Sequence, residues 1–88
     1  MNNFNQLKKG LNIGDTLTIV DTSLVGHKYL NVPRKIIKKQ TNAVKFEGGS
    51  WLGLGATGEK AENFSFFNNG FTYRFGENNK DYISYKFN

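Results

Sequence analysis

Hydrophobic positions recur with two different periods along the chain. Phe4, Leu7 and Leu11 fall on one helical face, Asn2 or Asn3 can cap it and Gly10 can stop it, so a helical turn or two is predicted near the start. From Thr16 onward the period drops to two. Thr16-Leu17-Thr18-Ile19-Val20 is β-branched with Leu17 and Ile19 on one face, and reads as a first strand after the turn at Ile13-Gly14-Asp15. Asp21-Thr22-Ser23 and Gly26 suggest a loop. Lys28-Tyr29-Leu30-Asn31-Val32 then reads as a brief strand ended by the only proline, Pro33.

Ile36 and Ile37 are adjacent, and a regular strand would point them to opposite faces. A helical turn started by Pro33, a β-bulge bringing both isoleucines inward, or a strand covered on both faces would each account for them. The next segment favours the bulge. Ala43-Val44-Lys45-Phe46 alternates cleanly beyond the polar Gln40-Thr41-Asn42, so the two segments read as the arms of a hairpin. Glu47-Gly48-Gly49-Ser50 is a further turn, leading into Trp51-Leu52 and the glycine-dense run 53–58.

The strongest local signal is the Asn68-Asn69-Gly70 turn between Asn63-Phe64-Ser65-Phe66-Phe67 and Phe71-Thr72-Tyr73-Arg74-Phe75. Alternation puts Phe71, Tyr73 and Phe75 on one face, with Phe64 and Phe66 on the matching face of the partner strand. Phe67, Tyr82 and Trp51 remain candidates for the opposite face, although a core position is the ordinary role of a tryptophan. After a turn over residues 76–80, Tyr82 to Phe87 alternates as a last strand. Six to seven short strands in 88 residues predict one all-β domain over residues 1–88, a small antiparallel SH3-like barrel with a short N-terminal helical turn.

Composition narrows the chemistry. No cysteine is present, which removes disulfides, thiolate metal sites and cysteine nucleophiles. His27 is the only histidine, so neither an N/S metal site nor a His-based catalytic group with its orienting partners is expected. Residues 53–58 match the letters of a dinucleotide-binding glycine loop, but no helix can follow before the next strand signals, and a flexible inter-strand loop is the better reading. No catalysis, cofactor or metal is expected. No apolar stretch approaches the roughly 18 residues of a bilayer span, and the first residues lack a signal-peptide pattern, so a cytoplasmic protein without membrane contact is predicted.

Charge is unevenly placed. Twelve Lys and Arg against seven Asp and Glu give +5, and residues 22–46 hold Lys28, Arg34, Lys35, Lys38, Lys39 and Lys45 without a single acid. Such a block favours polyanions or an acidic protein surface as partner. Lysines that merely keep exposed strands soluble and blunt sheet edges are the plain alternative. An aromatic beside the lysines would complete a stacking platform in a cationic groove, so the candidate binding residues are Arg34, Lys35, Lys38, Lys39, Lys45, Trp51 and Tyr82.

Three segments also carry a family resemblance: Lys8-Lys9-Gly10 to Ile13-Gly14-Asp15-Thr16-Leu17-Thr18-Ile19, then Ile36-Ile37-Lys38-Lys39, then Val44-Lys45-Phe46-Glu47-Gly48-Gly49-Ser50-Trp51. Over residues 8–55 the chain resembles short uncharacterised proteins encoded by phages and prophages of low-GC bacteria. Here Glu47-Gly48-Gly49 replaces the family's acid-glycine pair, and the aromatic C-terminal third has no counterpart. The resemblance implies an SH3-like barrel in a mobile-element setting and brings no active residues with it. Three non-catalytic roles follow as expectations: a nucleic-acid-binding accessory protein, an inhibitor that binds an acidic host protein such as a defence nuclease or polymerase, and a self-assembling structural component.

Overall fold

Asn3 opens the first element, its side chain accepting a 2.9 Å hydrogen bond from the Gln6 backbone N–H. The computed structural model describes residues 1–88, and helix α1 covers Phe4–Gly10. Leu7 is fully buried and the Phe4 ring packs at a tilt against Phe64 with centroids 4.8 Å apart, so the helix is held by its apolar face rather than by its length.

Seven strands follow: β1 (Thr16–Thr22), β2 (Pro33–Gln40), β3 (Ala43–Phe46), β4 (Trp51–Gly53), β5 (Phe64–Phe67), β6 (Gly70–Phe75) and β7 (Asp81–Phe87). They form one antiparallel sheet in the order β4-β3-β2-β1-β7-β6-β5. Two extra residues distort its ladders: Val20 between β1 and β7, and Ile37 between β2 and β3. Bulges increase local twist. The sheet curls so far that Trp51 and Gly53 of β4 line one cleft with Tyr73 and Phe75 of β6, although five strand spacings of a flat sheet would separate them by about 24 Å.

The curled sheet encloses a core of Leu17, Ile19, Ile36, Val44, Phe46, Leu52, Leu54, Phe64, Phe71 and Tyr85, covered by Leu7 of α1 and by Leu11, which caps its C-terminus. Alternation assigns the hairpin faces as the sequence predicts, with Phe71 and Phe64 buried and Phe67 exposed; Trp51, for which a core position is the ordinary expectation, is instead exposed, because it lies on the outer face of β4 opposite Lys45.

Three expectations change. The predicted barrel does not close: β4 and β5 are the two edges of an open sheet. Beyond β4 the chain turns back onto the β2–β3 hairpin, where the Asn42 carbonyl accepts from Leu54 N–H at 2.7 Å and Ala56 N–H at 3.1 Å. Residues 28–32 are not a strand ended by Pro33. Asn31 sits at φ +62, Leu30 makes only an isolated parallel bridge to Ile19, and Pro33 begins β2, the strand position where a missing N–H is tolerated. The bulge at Ile37 is present but brings only Ile36 inward; Ile37 stays exposed.

No helix is long and apolar enough to cross a membrane.

Candidate functional site

Arg34 is the most unusual charged residue of the fold. It alternates with Lys35 on β2, pairs with Leu17 across the ladder, and points inward with only 8% of its surface exposed. The 47–50 turn wraps it: Nη1 donates to Ser50 Oγ at 2.5 Å and Nη2 to the Glu47 carbonyl at 2.6 Å. Its guanidinium lies 3.6 Å from the Tyr29 ring centroid and 4.9 Å from that of Phe46. Both hydrogen-bond partners are uncharged, so aromatic faces and neutral oxygens carry the cation. Burying a charge costs several kcal/mol, and two charge-assisted hydrogen bonds of about 1.5–3 kcal/mol with desolvated cation–π contacts of about 2 kcal/mol offset it.

Tyr29 reaches this position because the loop between β1 and β2 is pinned to β1. Asn31 N–H donates to the Ile19 carbonyl at 2.8 Å, and turns from His27 to Leu30 and from Tyr29 to Val32 fold the segment back. Leu17, Ile19, His27, Lys28, Trp51 and Ile83 complete a cleft of about 320 Å³ around the Arg34 cluster and Tyr85. A second cleft of about 580 Å³ shares Trp51, Ile83 and Tyr85 with the first and extends to Tyr73 and Glu59.

Trp51 stands on the rim between the clefts with 44% of its surface exposed. Directly across the ladders, Lys38 faces Lys45 and Lys45 faces Trp51, so three strands present a row of two lysines and an indole. The Lys38 and Lys45 ammonium groups lie 5.9 and 5.8 Å from the indole centroid, within cation–π range. The bulge sets this row. Continuing the Ile36–Phe46 register without the extra residue would put Ile37 opposite Lys45 and Lys38 opposite the buried Val44.

Tyr85 forms the floor. Burial pushes its phenol up to about 12, with the nearby positive charge of Arg34 acting in the opposite direction. Its hydroxyl has no protein hydrogen-bond partner, and no side-chain N or O atom of the fold is both sealed from solvent and unpaired. The oxygen therefore opens into the clefts that Tyr85 lines.

The seven residues singled out from sequence separate into two groups. Lys38 and Lys45 meet at the Trp51 indole, and Trp51 shares a cleft with Arg34. Lys35 points to the face opposite Arg34, and Lys39 turns to α1, its Nζ donating to the Lys9 carbonyl at 3.2 Å and to Asn12 Oδ1 at 3.3 Å. Tyr82 belongs to a separate outer group, donating to Asp21 Oδ2 at 3.2 Å beneath the Arg74 guanidinium, and that hydrogen bond raises its phenol from the ordinary value. The basic block is therefore not one continuous strip. Tyr29, Phe46 and Tyr85 were not foreseen as site residues; the double glycine after Glu47 was the available signal, since Gly48 at φ +98 lies against the Arg34–Tyr29 stack.

No three His, Asp or Glu side chains converge as a metal-ligand group. No family model matches the chain, and no curated protein and no solved structure shows significant similarity to it.

Proposed function

We propose that this chain is a non-catalytic binding module for single-stranded nucleic acid, engaged at Trp51, Lys38 and Lys45. The observation that carries the reading is the row across β2, β3 and β4, in which an exposed indole is flanked by two cations. Bases of any sequence stack on such a ring for about 1–3 kcal/mol each, while lysines beside it neutralise the backbone. Lys28, which lies 5.0 Å from the Tyr29 ring at the neighbouring cleft, extends the cationic side. The resemblance to phage and prophage proteins fits an accessory role on a mobile element, within the cytoplasm of a bacterial host.

The test is a salt titration. Three lysines contacting phosphates of a single strand give a slope of log affinity against log salt of about −2, from about −0.7 per phosphate. Trp51→Ala removes the stacking surface and is expected to lower affinity at least about 10-fold. A flat salt response, or no binding of an oligothymidine at low salt, overturns the proposal.

A second reading has support in the same rim. An exposed tryptophan with lysines around it is also the anatomy of a protein–protein anchor, which suits an acidic host protein as target. Capture of such a protein from nuclease-treated host lysate, lost in Trp51→Ala, would favour it. Self-assembly through the open β4 or β5 edge predicts a sedimentation coefficient that rises with concentration.

A further inference from the structure

The cleft beside Trp51 is built for more than passive packing. Arg34 and Tyr85 are both more than nine-tenths buried, and both line it. Nη1 and Nη2 donate once each, to Ser50 and Glu47, which leaves three of the five guanidinium N–H groups, Nε among them, without a protein partner; since no sealed unpaired nitrogen exists, Nε is open to solvent on a residue that lines the cleft. The Tyr85 hydroxyl is free in the same way. His27 Nδ1 accepts from the Tyr29 backbone N–H at 3.2 Å, so the neutral ring carries its proton on Nε2 and offers it as a donor. Lys28 adds an ammonium. Every one of these groups donates, and no Asp or Glu lines this cleft.

We infer that this cleft takes the phosphate of one nucleotide, with Arg34 Nε and the Tyr85 hydroxyl as its inner donors and the attached base stacked on Trp51. The inference rests on the nucleic-acid reading for the chemistry of its ligand, and adds the atoms that hold it. Phosphate suits the site better than carboxylate because its three terminal oxygens and charge of about −1.5 to −2 match donors that converge from four side chains, two of them cationic, where a carboxylate brings two oxygens and a single charge. An incoming anion also compensates a guanidinium that has only neutral partners. The cleft volume of about 320 Å³ lies at the lower end of small-molecule sites, as one nucleotide requires. Leu17, Ile19, Phe46 and Ile83 give it apolar walls around the donors.

The chain contains one tryptophan, so quenching of its fluorescence reads the site directly. The probes are adenosine 5′-monophosphate, adenosine, inorganic phosphate and a 12-residue oligothymidine. The monophosphate is expected to bind at least about 10-fold more tightly than adenosine, because its charged oxygens engage the inner donors. Tyr85→Phe keeps the ring and removes the hydroxyl; it is expected to weaken the monophosphate about 10-fold and to leave adenosine unchanged. Arg34→Lys, which keeps the charge but loses the fork, is expected to weaken it similarly, with circular dichroism reporting whether the fold is retained. Equal affinity for adenosine and its monophosphate, or an unchanged monophosphate affinity in Tyr85→Phe, overturns the inference.

The two sources of such a phosphate, a free nucleotide and a strand, are separated by the oligothymidine. If Tyr85→Phe weakens both ligands, the strand itself enters the cleft; if it weakens only the monophosphate, free nucleotide is the ligand. A silent monophosphate with a bound oligothymidine overturns this inference alone. A bound monophosphate with no oligothymidine binding overturns the function proposed above and leaves the cleft as a nucleotide site.

Discussion

Lys38 and Lys45 stand directly opposite one another in the β2–β3 ladder, each about 6 Å from the same indole. Like charges in that position destabilise a sheet by a few tenths to about 1 kcal/mol, so the arrangement works against the fold that carries it. Lys45→Glu converts repulsion into an ion pair and is expected to raise unfolding stability by about 0.5 kcal/mol, since exposed pairs contribute little. The same change puts a negative charge beside Trp51 and is expected to weaken oligothymidine at least about 10-fold. Urea unfolding and a binding titration on one preparation check both signs. A variant that loses stability and keeps binding would contradict the assignment of this row to function.

Gly48 is fixed by what it touches. It sits at φ +98, and an added Cβ would lie 3.1 Å from Arg34 Nη2 and 3.2 Å from the Tyr29 hydroxyl. Gly48→Ala therefore combines backbone strain with displacement of the stacked guanidinium, at an expected cost of about 1–3 kcal/mol. Gly49 has φ +104 but open space around it, so Gly49→Ala carries the backbone strain alone and should cost less. Comparing the two melting temperatures isolates the contribution of the Arg34–Tyr29 contact.

How much of this was legible depended on range. The cap at Asn3, the face of Leu7 and Leu11, the bulge at Ile37 and the aromatic hairpin all follow from residues within one or two turns of each other, where periodicity carries the information. Closure of the barrel did not, because whether β4 and β5 pair depends on contacts between strands distant in sequence, which periodicity does not carry. The meeting of Tyr29 with Arg34 was equally hidden, since it requires Asn31 in the left-handed region to break a segment whose composition reads as strand. Lys39 looks equivalent to Lys38 in sequence; only the position of α1 shows that its ammonium holds the Lys9 carbonyl.

The Asn-Gly turn offers a sharper case. Phe67 pairs with Gly70, so the two loop residues are Asn68 and Asn69, and it is Asn69 that takes φ +71. Gly70 is the first residue of β6, and its lack of a side chain serves a different purpose: a Cβ there would collide with the Tyr85 backbone carbonyl and the Phe67 ring. Backbone cannot step aside as a side chain can. Gly70→Ala is expected to cost at least about 2 kcal/mol through forced separation of β6 from β7, whereas Asn69→Gly should be close to neutral or slightly stabilising. Thermal unfolding of both variants tests the division of labour, and a tolerated Gly70→Ala would refute it.

Tyr85 ties the stability of the fold to alkaline pH. Its ring packs 5.0 Å from Phe71 and 6.4 Å from Phe46, and 7% of its surface is exposed. Burial raises the folded phenol to about 12, against about 10 in the unfolded chain. Between those values the unfolded chain releases a proton that the folded chain keeps, so stability falls as pH rises through the window and is fully present below about 10. Two units correspond to about 3 kcal/mol. Urea midpoints measured from pH 9 to pH 12 should decline steeply in the parent protein and less steeply in Tyr85→Phe. Because the other tyrosines and the lysines titrate in both proteins, the difference between the two curves isolates this one phenol. Superimposable curves would mean that burial does not hold this phenol above its unfolded value.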